Sequence, residues 1–113
     1  MTSPSIPMTQ LPLACTLTSP ELRARRGQVL EFLRRHRRET YPVQNGYRLR
    51  FEAQPDVLVE IASLIDVERQ CCAFLRFQLT VEPADGPVWL ELTGPAGTRE
   101  FLDAELGLAG IAP

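Results

Sequence analysis

Two adjacent thiols and a carboxylate one helical turn away mark the segment Glu68-Arg69-Gln70-Cys71-Cys72 as the place where this chain could do chemistry. Residues 56–76 read as a helix. At about 100° per residue, Val57, Leu58, Ile61, Leu64, Ile65, Cys72 and Leu75 fall on one broad apolar face. Glu68 lands in the middle of that face. A carboxylate taken out of water is costly unless it is ion-paired, hydrogen-bonded, protonated or bound to a metal. Cys72, four residues on, stacks beside Glu68, and Cys71 points to the edge of the stripe. Arg69, three residues before Cys72, favours a thiolate there, whereas Glu68 opposes one.

Several chemistries fit these residue types. Thiolates are soft donors that prefer zinc, copper(I), mercury(II) or a trivalent metalloid such as arsenite to hard cations. Cys71, Cys72, the third cysteine Cys15, and Glu68 as an oxygen donor or supporting base would make a sufficient set. Adjacent cysteines diverge by about 100° around a helix, so both reach one ion only if the helix end is distorted. The plain alternative is structural: cysteines as small core hydrophobes, and Glu68 paired with Arg25 or Arg26 from the preceding helix. The module would then interact through a sheet edge or Trp89, as a homodimer or with a protein partner. A thiol redox protein is the third reading. It is disfavoured because the pair sits near a helix C-terminus and lacks a CxxC spacing. A disulfide between the neighbours is disfavoured too, since adjacent Cα atoms stand about 3.8 Å apart and disulfides prefer roughly 4.4–6.8 Å. His36, the only histidine, lies in an arginine-rich helix end, so a Cys-His hydrolase has little support and no turnover chemistry is implied.

The elements that must position these groups follow from period and punctuation. Ser19-Pro20-Glu21 is a helix-start signal, and the helix runs to about Arg38 with Leu22, Val29, Leu30, Phe32 and Leu33 as its stripe. Residues 47–53, 77–82 and 88–93 alternate apolar and polar, the period of a half-wet strand. Ala84-Asp85-Gly86 reads as a hairpin turn. Gly97 or Thr98 caps a short third helix ending near Leu106. With Leu11–Leu17 as a first strand, the order β-α-β-α-β-β-α predicts an α+β two-layer sandwich: a small, mainly antiparallel sheet with helices on one face. Residues 1–10 read as a disordered tail, 11–106 as one domain and 107–113 as a mobile tail.

Composition narrows the partners. The net charge of −2 gives no global field for nucleic acid. The arginines concentrate in the first half, where 34–38 read as a solvated helix end without aromatic interleaving. No apolar stretch approaches the roughly 18 residues of a membrane span, and no basic-then-apolar leader opens the chain. A cytoplasmic location with reduced cysteines is therefore expected.

The pieces Glu68-Arg69-Gln70-Cys71-Cys72-Ala73-Phe74-Leu75-Arg76-Phe77 and Leu92-Thr93-Gly94-Pro95-Ala96-Gly97 resemble a family of small bacterial proteins. Its motif is E-R-x-C-C-x-F-L-x-F followed by L-T-G-P-x-G. Cys15-Thr16-Leu17 and Gly46-Tyr47-Arg48-Leu49-Arg50-Phe51 match as well. Such proteins are associated with heavy-metal resistance neighbourhoods. The resemblance therefore implies a metal-related role, without naming an activity. Members often carry proline after the cysteine pair, where this chain has Ala73.

Overall fold

The computed structural model describes residues 19–107. The expected N-terminal tail, the strand over Leu11–Leu17, Cys15 and residues 108–113 lie outside the described residues. Within them the order is α1 (Pro20–His36), β1 (Arg37–Val43), β2 (Gly46–Phe51), α2 (Val57–Cys71), β3 (Arg76–Val81), β4 (Val88–Thr93) and α3 (Thr98–Leu106). The four strands form one antiparallel sheet in the order β1-β2-β4-β3, so the fold is α+β.

Most elements form where the pattern puts them. Ser19 caps α1, its Oγ accepting from the Leu22 amide at 3.4 Å, with Pro20 opening the helix. The helix stops at His36, not at Arg38: Arg37 turns extended, at φ −67° and ψ 129°, and starts a strand. That strand, β1, is absent from the expected order. Its residues Glu39, Thr40, Tyr41 and Val43 follow an arginine cluster that reads as a helix end, and Pro42 breaks their alternation. Between β3 and β4, Ala84 and Asp85 both hold positive φ, 56° and 59°, the conformation of a two-residue hairpin turn of type I′.

The core joins alternate residues of the two central strands, Leu49 and Phe51 of β2 and Val88, Leu90 and Leu92 of β4, to residues of all three helices. Val29, Leu30 and Leu33 come from α1, Val57, Ile61 and Leu64 from α2, and Leu102 from α3. On β1, a bulge between Arg37 and Glu39 turns both Arg37 and Thr40 inward, where they are buried. Among the described residues, no hydrogen-bond partner meets the three Arg37 guanidinium nitrogens or Thr40 Oγ1. Burial, with a smaller contribution from Arg34, lowers the Arg37 pKa from its ordinary value.

The β2–β4 contact is the seam of the sheet, and Gly46 makes it possible. Gly46 pairs with Thr93, and a Cβ placed on it would stand 1.9 Å from the Leu92 carbonyl oxygen. Backbone cannot yield to that contact as a flexible side chain can. Gly46→Ala is expected to cost at least about 2 kcal/mol, read as a lower urea midpoint with unchanged slope. The neighbouring hairpin is latched by Arg99 of α3, which donates to the Val43 and Gly46 carbonyls.

Tyr47 ties β2 to α3, its hydroxyl donating to Asp103 Oδ1 at 2.6 Å. Burial, then that hydrogen bond and the Asp103 charge, push the Tyr47 pKa from 10.0 up to about 12. Below pH 10 the native and unfolded states both keep the phenolic proton. Between about 10 and 12 the unfolded chain loses it while the native chain retains it, so stability falls as pH rises. A phenolate titration by ultraviolet absorbance should show one late step, missing in Tyr47→Phe. That variant should also lose this part of the alkaline decline in stability.

Candidate metal centre

The final turn of α2 brings the chemically capable side chains together. Cys71 is the last helical residue, and Cys72 leaves helical geometry at φ −118° and ψ 74°. The Cys72 amide still donates to the Glu68 carbonyl at 2.6 Å, and the Leu75 amide then closes a turn onto the Cys72 carbonyl at 3.1 Å. A helix over 56–76 thus runs five residues too far at its C-terminal end. The cause is apolar: Phe74 and Leu75 are buried, and Phe74 meets Phe101 of α3 edge-on, ring centroids 4.8 Å apart. Breaking the helix after Cys71 places both in the core, which offsets the helical hydrogen bonds given up.

The same break removes the divergence expected of adjacent helical cysteines. The Sγ atoms of Cys71 and Cys72 stand 3.3 Å apart, beyond the roughly 2.05 Å of a disulfide bond. Glu68 Oε2 lies 3.5 Å from Cys72 Sγ and 3.9 Å from Cys71 Sγ. All three residues are buried, none more than 1% exposed. Two sulfurs at about 2.3 Å from one tetrahedral ion would be about 3.8 Å apart, so small adjustments would seat an ion. Glu68, Cys71 and Cys72 therefore lie close enough to hold a metal ion.

The carboxylate has a second partner. Glu68 Oε1 accepts from Arg26 Nε at 2.6 Å, and Oε2 from Arg26 Nη2 at 3.4 Å. Arg26 Nη1 also reaches Glu105 of α3 at 3.7 Å, so one guanidinium ties three helices together beside the thiols. Glu68 thus meets the guanidinium with both oxygens, and Oε2 faces the two sulfurs as well. The carboxylate therefore bridges the α1 guanidinium and the two thiols.

Of the residues singled out from sequence, Glu68, Cys71, Cys72 and Arg26 meet. Arg25 turns away, its Nη2 donating to Ser63 Oγ at 2.8 Å. Arg69 is exposed on the last turn of α2. Cys15 lies outside the described residues. His36 stacks on Phe32 with ring centroids 4.1 Å apart, a packing role at the far end of α1. Trp89 is half-buried, with the Arg48 guanidinium 4.1 Å from its ring centroid. Sequence reasoning missed Glu105 as a partner of Arg26, and no local signal marks it.

One further contact explains the second half of the motif. Gly94 abuts the turn after the cysteines, and a Cβ on it would stand 3.2 Å from the Phe74 carbonyl oxygen and 2.5 Å from Thr98 Oγ1. Thr98 is buried and donates to the Pro95 carbonyl at 2.6 Å. Gly94 of the Leu92–Gly97 stretch therefore packs against Phe74, in the turn that follows the thiols. A cavity of about 370 Å³ lies elsewhere, lined in part by Pro55, Val57, Val59, Val81 and Val88, and touches none of these groups. No helix among the described residues is long and apolar enough to cross a membrane. Compared with family models, curated proteins and solved structures, the chain finds no match.

Proposed function

We propose that this protein binds a soft metal ion or a trivalent metalloid through Cys71 and Cys72, with Glu68 as oxygen donor or supporting base. The carrying observation is the convergence of two sulfurs and Glu68 Oε2 within 3.9 Å of one another in a buried site. Zinc, copper(I), mercury(II) and arsenite suit such donors. Cys15, the third thiol of the chain, is counted as a further donor. Each thiol that ligates gives up its proton, so binding tightens as pH rises. The protein would sequester or hand on the ion in the cytoplasm.

A second reading has its own support. The Arg26–Glu68 ion pair accounts for the buried carboxylate without any ion, and both cysteines belong to the hydrophobic core. On that reading the chain is a structural or interaction module.

Native mass spectrometry separates the two. The reduced protein is titrated with zinc, copper(I), mercury(II) and arsenite, beside a Cys71→Ser/Cys72→Ser control. One-to-one binding that the control lacks supports the thiolate site and ranks the ions. No binding, or equal binding by the control, leaves the core-cysteine reading standing.

A further inference from the structure

The two edges of the sheet are built differently. β1, one edge, carries a bulge between Arg37 and Glu39, and Pro42, which cannot donate to a further strand. Such devices keep an edge from pairing with another chain. β3, the other edge, has neither. Its six residues pair with β4 in unbroken register, and it contains no proline.

β3 also exposes what a buried strand would hide. Phe77, Leu79 and Val81 stand opposite Leu92, Leu90 and Val88, and so share the face that those residues bury in the core. Leu79 is nevertheless 38% exposed and Val81 55%. Beside them on α2, Leu58 and Val59 are exposed too, and both line one cavity with Val81. These four make up most of the exposed large apolar side chains among the described residues. Exposed apolar surface beside an edge that carries no bulge or proline and has no further strand among the described residues is the pattern of a strand-pairing interface.

The strand sequence identifies the partner. Arg76-Phe77-Gln78-Leu79-Thr80-Val81-Glu82 is complementary to itself when read antiparallel about Leu79. In that register Arg76 meets Glu82, Phe77 meets Val81, Gln78 meets Thr80, and Leu79 meets its own counterpart. Opposite residues of an antiparallel pair point to the same side. Both apolar rows therefore stay on the core face, and both charge pairs on the other. A two-fold axis normal to the sheet satisfies every position at once, as an isologous interface requires.

We infer that two copies of this chain pair through β3, antiparallel and centred on Leu79, into one continuous eight-stranded sheet. The apolar rows of the two β3 strands meet there, and Phe77 of the second copy lies against Val81 beside the cavity. The interface is independent of the thiol site and stands whether or not an ion binds.

Sedimentation velocity over a concentration series, on the full chain under reducing conditions, tests this. The parent protein should show a concentration-dependent dimer. Leu79→Lys sets two ammonium groups face to face on the axis and should leave a monomer. Arg76→Glu sets a carboxylate against Glu82 twice per dimer, and Glu82→Arg does the reverse with guanidiniums. Each should weaken the dimer by about tenfold or more. The double variant Arg76→Glu/Glu82→Arg restores both pairs and should recover the affinity. All four variants change exposed positions, and circular dichroism with thermal melting confirms that each folds. A parent that stays monomeric at every concentration overturns the inference. So does a dimer indifferent to Leu79→Lys, or one that the double charge exchange fails to rescue.

Discussion

Cys72→Ser is expected to weaken binding of a soft ion by about a hundred- to a thousand-fold. Structural thiolate sites with four donors bind zinc with roughly 10–16 kcal/mol, so one donor carries about 2.5–4 kcal/mol. A serine hydroxyl in its place is a hard and poorly acidic ligand. Cys72 is also the donor nearest to Glu68 Oε2, at 3.5 Å, so its loss removes the sulfur best placed to share the carboxylate. Competition against a chromophoric chelator at constant pH reads the affinity directly. Glu68→Gln keeps the shape of the site and should cost only about ten- to a hundred-fold, the usual effect of removing a supporting partner. It should also alter the pH dependence, because the negative charge beside the thiols is removed. If Cys72→Ser binds as tightly as the parent, Cys72 is not a ligand, and the turn that brings it to Cys71 serves packing alone.

Arg26→Ala should cost about 3–5 kcal/mol of folding stability, the loss expected when one member of a buried ion pair is removed. Glu68 is 1% exposed and loses its buried counter-ion when the guanidinium goes. Part of the loss reflects the bond from Arg26 to Glu105, which is looser and more exposed. Urea unfolding measures the change. Arg26→Met/Glu68→Met, which removes both charges and leaves apolar chains of similar reach, should recover most of it. A soft ion supplies a further diagnosis. If Glu68 ligates or supports a bound ion, saturating ion should stabilise Arg26→Ala more than the parent, because the ion replaces the missing positive charge. Equal stabilisation of the two proteins would place Glu68 outside the ion's reach. A loss under about 1 kcal/mol from Arg26→Ala would mean that the pair contributes little to holding α1, α2 and α3 together.

How far the sequence discloses all this depends on the range of the interactions. Local rules suffice for α1, whose cap and proline are adjacent in sequence, and for β4, where Val88 to Thr93 alternate as a half-buried strand must. They suffice as well for the anomaly at Glu68, because helical periodicity alone places it among Val57, Ile61 and Leu64. They fail where two signals overlap. Arg34 to Arg38 suit a helix C-terminus, yet Arg37 is already in a strand, and the arginine cluster conceals the boundary. They fail again at the end of α2. Nothing in Cys72-Ala73-Phe74-Leu75 forbids a helix, and the break accompanies the packing of Phe74 on Phe101, far along the chain. Burial of Phe74 and Leu75 goes with a break in the helix that lets the two sulfurs converge. The choice of Arg26 over Arg25 as partner for Glu68 is of the same kind, set by how α1 is rotated against α2.

The strand order has a consequence for the moment at which the thiols become protected. β1 with β2, and β3 with β4, are hairpins closed by short turns, whereas the β2–β4 seam joins Gly46 to Thr93 across the whole of α2. Loop-closure entropy favours the short hairpins first and the seam last. Gly94, which packs on the Phe74 carbonyl two residues after Cys72, lies one residue beyond that seam. Closure of the turn that follows the cysteines is therefore expected to coincide with the final joining of the two hairpins, leaving the thiols open to solvent until then. A thiol-alkylating reagent added at intervals during refolding would time that closure, and an ion captured before it would be folded in with the core.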